Sequence, residues 1–338
     1  MAGSYAGAVS RRRFIGLSAA AAGVALRPLW PGRADPAPPR LAVWRGVALG
    51  ADAQLQIHHP DPAEGRRLIG LALAEVARLE AVLSLYRPDS ALVALNRSGR
   101  LDGPPLDLLR ILAESAAFHR LSGGAFDVTV QPLWDLYAAH FADPAADPAG
   151  PPAAALAAAL ARVGQDGLRV GDDVIDFARP GMAVTLNGIG QGYVTDRVTE
   201  LLRREGVAHA LVDMGETRAI GDRPGGGPWA IGLEDPRRPG AIAETVGLAD
   251  RAVATSGGYG TPLDLAGRFN HIFDPATGAT SSRYLAVSVV APTATEADAL
   301  STAFCLMPPA AIDAVARTRG LAAHVATLDG SRLRLGAA

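Results

Sequence analysis

The feature that most restricts the fold of this chain is a glycine-rich loop at residues 185–192, T-L-N-G-I-G-Q-G, between an apolar run and a helix-like segment. Loops of this kind often bind nucleotides, because glycine lets the backbone approach phosphate groups closely. The dinucleotide fingerprint requires G-x-G-x-x-G, whereas Gly188, Gly190 and Gly192 form G-x-G-x-G. The phosphate-binding P-loop requires a lysine, and the chain contains none. The loop therefore fits neither common nucleotide-binding motif, and its ligand must be inferred from the rest of the chain.

The order of the predicted elements favours an α+β fold. Apolar residues at helical spacing predict an amphipathic helix from Arg66 to Leu83, and Ser90 is a plausible N-cap for a short helix after it. A further helix ends at Gly123-Gly124. Strands are predicted at 53–59, directly after Asp127, and at 167–170, 173–177, 182–186, 209–214, 229–236, 252–257 and 284–291. This order is too irregular for a doubly wound sheet, so we expect one domain over 41–335 with lobes around a cleft.

Composition excludes several classes of function. The formal net charge of -2 over 338 residues argues against a nucleic-acid partner, which would require a basic face. All 32 basic residues are arginine, so Schiff-base chemistry on lysine is excluded. Cys305 is the only cysteine, which excludes an intramolecular disulfide and a cysteine-rich metal site. We expect Cys305 to be a small buried apolar residue.

The first 34 residues have the pattern of a twin-arginine export signal. Residues 10–15 read S-R-R-R-F-I and precede an alanine-rich apolar run that ends at Arg27. The alternative is an uncleaved anchor, but the run is shorter than the ~20 residues that span a bilayer. Residues 35–40 form a proline-rich lead-in. We therefore expect a periplasmic protein that is exported folded and is not inserted in the membrane after signal cleavage.

Three later segments have the composition of ligand-binding loops. The run T-S-G-G at 255–258 groups small hydroxyls with backbone N–H groups suited to phosphate. His271 precedes a D-P-A-T-G turn, and its unperturbed pKa near neutral suits a general base, although a structural histidine is an alternative. Asp298 and Thr302 share one helical face at i,i+4. Asp298 also completes the capping-box pattern T-x-x-D with Thr295, so two roles are open for it.

These segments together resemble the ApbE-type family of FAD:protein FMN transferases, from about Val47 to Leu328. The matching motifs are LSLYRPDSALVALN, FDVTVQPL, GIGQGYVTD, LVDMGE, WAIGLEDP, ATSGGY, HIFDPATG and DALSTA. The resemblance implies a single flavin transferase domain with a flavin-binding cleft. It implies that FAD is cleaved at its pyrophosphate and that FMN passes to a Thr or Ser hydroxyl of an acceptor flavoprotein, releasing AMP. Attack on a pyrophosphate needs charge neutralisation, so Mg²⁺ is expected as well.

The resemblance also implies site residues. Asp298, Thr302 and the backbone carbonyl of Gly188 would hold the metal, and His271 and Asp298 are the expected catalytic residues. The expected flavin contacts are Leu49, Tyr86, Ala125, Phe126, Asp127, Thr185, Gln191 and Ile272. Tyr86 is otherwise a helix-end tyrosine, and Asp127 is otherwise a turn residue at the start of a strand.

Three positions depart from the family pattern, and one of them is Glu216, which stands where the family often has a second glycine. Thr185 replaces the usual acid and Gln191 replaces the usual Lys or Glu, so both groups are neutral here. Three functions are therefore open: an active transferase, an FAD pyrophosphatase in which water attacks, and a non-catalytic flavin carrier. The uncharged GIGQGY version is similar to exported homologues that modify the membrane flavoprotein supporting nitrous oxide reduction, which indicates a possible acceptor.

Overall fold

The structure is a computed structural model that describes residues 39–337. The predicted signal peptide, 1–34, and residues 35–38 of the lead-in lie outside the described residues. None of the helices in the described part of the chain is both long enough and apolar enough to cross a bilayer.

The strands and helices follow one another irregularly along the chain, as predicted. The strands are β1 Arg40–Ala48, β2 Ala51–His59, β3 Arg100–Asp102, β4 Leu168–Val170, β5 Val174–Phe177, β6 Ala210–Asp213, β7 Thr217–Ile220, β8 Trp229–Glu234, β9 Ile242–Leu248, β10 Ala252–Ser256, β11 Tyr284–Ala291, β12 Ala322–Thr327 and β13 Arg332–Gly336. The helices are α1 Pro62–Leu83, α2 Ala91–Ser98, α3 Leu106–Leu121, α4 Gln131–Phe141, α5 Ala153–Leu160, α6 Gly190–Arg204, α7 Ala294–Phe304 and α8 Pro309–Arg319.

One antiparallel sheet organises the fold, in the order β1-β2-β6-β7-β10-β11-β12-β13. One face of this sheet packs on helices α1, α6 and α7 and forms the main core. Buried and more exposed residues alternate along β2, because only one face of the strand contributes to this core. Its core residues are Ala53, Leu55 and Ile57.

The β8–β9 hairpin covers the opposite face of the sheet. Trp229 and Ile231 of the hairpin pack on Val253 and Val290 of the sheet in a second core. Strand β11 is therefore covered on both faces, and its sequence Y-L-A-V-S-V-V-A is almost continuously apolar. A small sheet β3-β5-β4 and an aromatic cluster around Tyr137 complete the domain.

Several local predictions are confirmed. Ser90 is the N-cap of α2 and accepts a hydrogen bond from Val93 N at 3.1 Å. Helix α3 ends at Leu121, separated by one residue from the predicted glycine pair, and the strand predicted at 53–59 is present as β2. Cys305 is buried, and burial raises the pKa of its thiol to about 12.

The strand predicted after Asp127 is wrong, because this segment is a 3-10 turn followed by helix α4. The Asp127 side chain accepts from Thr129 N at 2.8 Å and caps the turn. Pro132 lies in the first turn of α4, where its missing N–H costs nothing. Leu133 and Tyr137 are both buried and are spaced at i,i+4, which is the sequence pattern that could have predicted helix α4.

The strand predicted at 182–186 is also wrong. The Asn96 side chain satisfies both backbone groups of Val184: its amide donates to Val184 O and its carbonyl accepts from Val184 N, each at 2.8 Å. Thr185 N donates to Val128 O at 2.8 Å. This segment is therefore held by a side-chain amide and a loop, which replace the partner strand that its apolar composition predicted.

Candidate active site

Three connections between strands converge at one end of the main sheet. The β1–β2 turn contains Leu49, the β6–β7 turn follows Asp213, and the T-S-G-G loop begins with the last two residues of β10. Gln54 pairs with Asp213 and Thr217 pairs with Val253. These registers place the three connections at the same end of the sheet. This end of the sheet is the candidate active site.

Helix α6 begins against the first turns of α7. Gly192 N donates to Asp298 Oδ2 at 3.0 Å, and Asp298 is only 3% exposed. A Cβ on Gly192 would lie 2.3 Å from the carbonyl oxygen of Ala294, so only glycine permits this approach. The Asp298 carboxylate therefore lies at the positive N-terminal end of α6, where negative charge is stabilised.

Thr302 lies one helical turn after Asp298 and belongs to a cluster of hydroxyl groups. Its Oγ1 is 3.1 Å from Ser256 Oγ, which is 2.7 Å from Ser301 Oγ. A Cβ on Gly188 would lie 3.1 Å from Thr302 Oγ1, so the glycine loop closes over this hydroxyl. The structure thus brings together the three residues predicted to hold a metal.

These residues fit a magnesium site by their chemistry. A backbone carbonyl, a carboxylate and a hydroxyl are all oxygen donors, which Mg²⁺ prefers. Within residues 39–337, no group of three or more His, Cys, Asp or Glu side chains could hold a metal ion. The Gly188–Asp298–Thr302 set contains one carboxylate and depends on phosphate or water oxygens for its remaining ligands.

The cap of α7 differs from the capping-box alternative for Asp298. Thr293 is the N-cap and accepts from Glu296 N at 3.2 Å, so the predicted Thr295–Asp298 capping box is wrong. The Thr295 hydroxyl instead donates to Asp196 Oδ2 at 2.6 Å. Asp298 therefore does not cap α7, and its carboxylate accepts from Gly192 N of α6 instead.

Asp196 ends the matching motif GIGQGYVTD, but it is not among the predicted site residues. Its carboxylate is buried on α6 and accepts from the backbone N–H groups of Ala294 and Thr295 at 2.9 and 2.8 Å. It also forms an ion pair with the buried guanidinium of Arg218. Because these partners are 22 to 99 residues away in sequence, no local pattern reveals the role of Asp196. Asp196 fixes the start of α7 and hence the position of Asp298.

His271 and Ile272 lie in a turn that Asn270 holds in place. The Asn270 carbonyl accepts from Ile272 N at 3.0 Å, and its amide donates to Ser281 O at 2.7 Å. The His271 ring faces the turn after the T-S-G-G loop, because its Cε1 is 3.8 Å from the Cβ position of Gly260. Ile272 is buried in the main core, so its side chain shapes the site from behind.

The predicted flavin contacts occupy different environments. The Tyr86 side chain is 72% exposed and is available for stacking on a ring. Leu49 adopts a left-handed conformation at φ 48° and donates its N–H to Glu80 Oε1 at 2.8 Å. A non-glycine residue in this region is uncommon and marks a constrained turn.

The Ala125–Asp127 segment packs beside the glycine loop. Phe126 is buried, and the Cβ position of Gly188 is 3.4 Å from its ring. Asp127 accepts from Thr129 N and Oγ1 and from Gln165 N, so its carboxylate already organises this loop.

The two neutral replacements take part in local packing. The Thr185 hydroxyl accepts from Asn187 N at 3.2 Å and shapes the entry of the glycine loop. The Gln191 side chain lies against the β6–β7 turn, with its Cδ 2.6 Å from the Cβ position of Gly215. Gly215 has φ 104°, so glycine is required there on two grounds.

Comparison with known proteins identifies the family of the chain. The model of the ApbE family matches residues 49–325. An FAD:protein FMN transferase of Klebsiella pneumoniae (strain 342) is 30% identical over 295 residues, covering 84% of this chain and 84% of that protein. The flavin transferase ApbE from Vibrio cholerae has a similar structure, with TM-score 0.77 and 26% identity over 89% of this chain and 98% of its own.

A second solved structure gives the same result. The apo form of Pseudomonas stutzeri flavinyl transferase ApbE has TM-score 0.74 and 27% identity, covering 88% of this chain and 96% of its own. The predicted α+β single-domain fold is thereby confirmed. The chain belongs to the ApbE family.

Proposed function

We propose that this protein is a Mg²⁺-dependent FAD:protein FMN transferase that modifies a Thr or Ser hydroxyl of an exported or membrane flavoprotein and releases AMP. The observation that carries the proposal is the convergence of Gly188, Asp298 and Thr302 at the N-terminus of α6 in a chain of this family. The name FAD:protein FMN transferase, which its relatives carry, supplies the substrate and the kind of acceptor.

The proposed reaction is a simple displacement at phosphorus. The acceptor hydroxyl oxygen forms a bond to the phosphorus on the FMN side of FAD, and the bond from that phosphorus to the bridging oxygen breaks. AMP leaves with the bridging oxygen, and the hydroxyl proton passes to a general base. Bound Mg²⁺ would neutralise charge on the pyrophosphate oxygens.

The residues of the chain have separate tasks in this reaction. The Gly188 carbonyl, the Asp298 carboxylate and the Thr302 hydroxyl would hold the metal, and the N-terminus of α6 favours phosphate charge. His271, beside the T-S-G-G loop, is the proposed base for the acceptor hydroxyl. Tyr86, Leu49 and the Ala125–Asp127 segment would orient the flavin half of FAD.

Location and acceptor are further parts of the proposal. The S-R-R-R-F-I motif supports export by the twin-arginine pathway and action in the periplasm. The uncharged G-I-G-Q-G loop supports the proposal that the acceptor is the membrane flavoprotein that assists nitrous oxide reduction.

A flavin carrier is the second candidate, because Thr185 and Gln191 lack the charges usual in the family. One assay separates these functions. The purified protein is incubated with FAD, Mg²⁺ and a flavin-acceptor domain that carries the motif D-x-[ST]-[GA]-[AS]-T, and AMP and in-gel flavin fluorescence are measured.

A fluorescent acceptor band that disappears with EDTA is the expected result. AMP without a labelled band would instead indicate a pyrophosphatase. Tight FAD binding with neither product would identify a carrier and contradict the proposed function.

A further inference from the structure

A cavity of about 540 Å³ lies near the candidate active site, on the sheet face that the β8–β9 hairpin covers. Its walls come from the turn between β8 and β9, from Leu285 of β11 and from the β12–β13 hairpin. Strand pairing of Tyr284 with Thr327 places these walls at the same end of the sheet as the active-site loops. The lining residues differ from those assigned to FAD and to the metal.

The cavity carries an excess of positive charge. Its charged lining is Arg237, Arg238, Arg332 and Asp235, that is, three guanidinium groups and one carboxylate. Arg238 Nε donates to Asp235 Oδ2 at 2.9 Å, and its side chain is 75% exposed. The formal excess of two positive charges contrasts with the net charge of -2 of the whole chain. A concave site with this balance attracts anionic groups.

Arg237 gives this cavity a fixed shape. Its Nη1 donates to Asp329 O at 2.9 Å, and its Nη2 donates to Leu328 O. The guanidinium thus ties the β8–β9 turn to the β12–β13 turn through carbonyl groups, and the carboxylate of Asp329 offsets part of its charge.

The cavity is joined to the catalytic region through strand β11. The carbonyl oxygen of Leu285 lies 2.6 Å from the Cβ position of Gly257, in the T-S-G-G loop. The preceding residue, Ser256, has its Oγ 3.1 Å from Thr302 Oγ1. A ligand in the cavity therefore lies next to the loop that reaches the proposed metal site.

Exposed apolar side chains accompany the arginines at this end of the molecule. Tyr259 follows the T-S-G-G loop, and Leu328 lies in the β12–β13 turn; both are exposed. Arginine and tyrosine beside apolar groups are typical of protein interfaces. A surface of this kind fits a protein better than a free nucleotide.

We propose that the arginine-lined cavity, formed by Arg237, Arg238 and Arg332, binds an acidic segment of the acceptor protein. This inference rests on the proposed function, because it assigns a docking place to the protein that receives FMN. Acidic side chains of the acceptor would pair with guanidinium groups while its hydroxyl enters the site beyond the T-S-G-G loop. The arginines would speed encounter and orient the acceptor without touching the reacting atoms.

The test is the double variant Arg238→Ala with Arg332→Ala, which leaves the structural contacts of Arg237 intact. We expect the KM for the acceptor domain to rise about tenfold in about 50 mM NaCl and the difference to shrink in about 500 mM NaCl, because salt screens exposed charges. The kcat at saturating acceptor and the KM for FAD should stay within about twofold of wild type. The matched control is Arg204→Ala with Arg317→Ala, two exposed arginines at the opposite end of the sheet, which should leave all of these constants unchanged.

A second measurement does not depend on transfer. Fluorescein-labelled hexaglutamate should bind to wild type and to the control variant, with binding lost in the Arg238/Arg332 variant by fluorescence anisotropy. An unchanged acceptor KM and unchanged hexaglutamate binding in that variant would overturn the inference, and a parallel rise in the KM for FAD would make the cavity a nucleotide subsite. If wild type labels no acceptor, the proposed function fails, and the hexaglutamate measurement still decides whether the cavity binds acidic peptide.

Discussion

Two buried carboxylates near the glycine loop have different tasks at the residue scale. Asp127 is engaged by Thr129 and by Gln165 N, so its charge stabilises a loop. Asp298 accepts from Gly192 N at the N-terminal end of α6, one helical turn before Thr302 and its cluster of hydroxyl groups. The i,i+4 spacing of Asp298 and Thr302 could be predicted from sequence, since it depends only on helix geometry. The bond from Gln165 to Asp127 could not, because 38 residues separate the partners.

Asp298→Asn tests the metal role. The amide keeps the shape of the side chain and can still accept from Gly192 N, but the negative charge is lost. Transfer should fall by about a hundredfold or more, with a requirement for higher Mg²⁺ concentration. Activity is measured against Mg²⁺ concentration beside the control Asp313→Asn, an acid on α8. Wild-type activity in Asp298→Asn would remove this residue from the metal site.

His271→Gln separates chemistry from binding. Glutamine keeps a polar side chain but cannot take a proton at neutral pH, so transfer should slow by about a hundredfold while the Kd for FAD changes little. His59→Gln, at the opposite end of β2, is the matched control and should behave as wild type. Equal losses in rate and in FAD affinity would identify a binding role for His271.

The α6–α7 contact is the decisive feature at the scale of elements. Both helices could be predicted, but their close approach depends on Gly192, on the buried Asp196–Arg218 pair and on the loop held by Asn96. The wrong strand at 182–186 has the same origin, because the Asn96 contact spans 88 residues. Local pattern thus identifies the elements, and long-range polar contacts decide how the site is assembled.

Gly192→Ala tests this contact. The added methyl group would lie 2.3 Å from the Ala294 carbonyl, so α7 must move, at a cost of about 1–3 kcal/mol in the free energy of unfolding and with a large loss of transfer. Gly70→Ala is the matched control: it lies within α1 with nothing within 4 Å of the new Cβ, so stability should rise by about 0.5–1 kcal/mol. Urea unfolding measures the change in the free energy of unfolding, and the transfer assay measures the loss of activity. Similar stability changes in the two variants would contradict the close helix contact.

The stability of the whole molecule should depend on Asp213. Burial raises the pKa of this carboxyl from 3.8 to about 6, partly offset by the hydrogen bond from Gly215 N. The folded state therefore holds the proton more tightly than the unfolded state, and its stabilising contribution, complete below pH 3.8, is lost as pH rises through about 6. At about 1.4 kcal/mol per pH unit, the loss is at most about 3 kcal/mol.

Asp213→Asn removes this titration. The variant should match wild type at low pH and gain stability relative to it as pH rises through about 6, measured by urea unfolding at several pH values. Asp313→Asn should show the opposite sign, because hydrogen bonds from Arg317 and Gly336 lower the pKa of Asp313. A constant difference between wild type and Asp213→Asn would contradict the raised pKa.

The proposed export of the protein in its folded state can be tested at its first residues. The candidate site depends on contacts between segments that are distant in sequence, so the proposed binding of FAD and metal requires a completed fold. The twin-arginine pathway carries folded proteins, and its signal is read through paired guanidinium groups that lysine does not reproduce. Arg11→Lys with Arg12→Lys should therefore leave full-length precursor in the cytoplasm, detected by cell fractionation and immunoblotting. Arg13→Lys is the control and should be exported normally, whereas periplasmic mature protein from the double variant would mean that export uses another route.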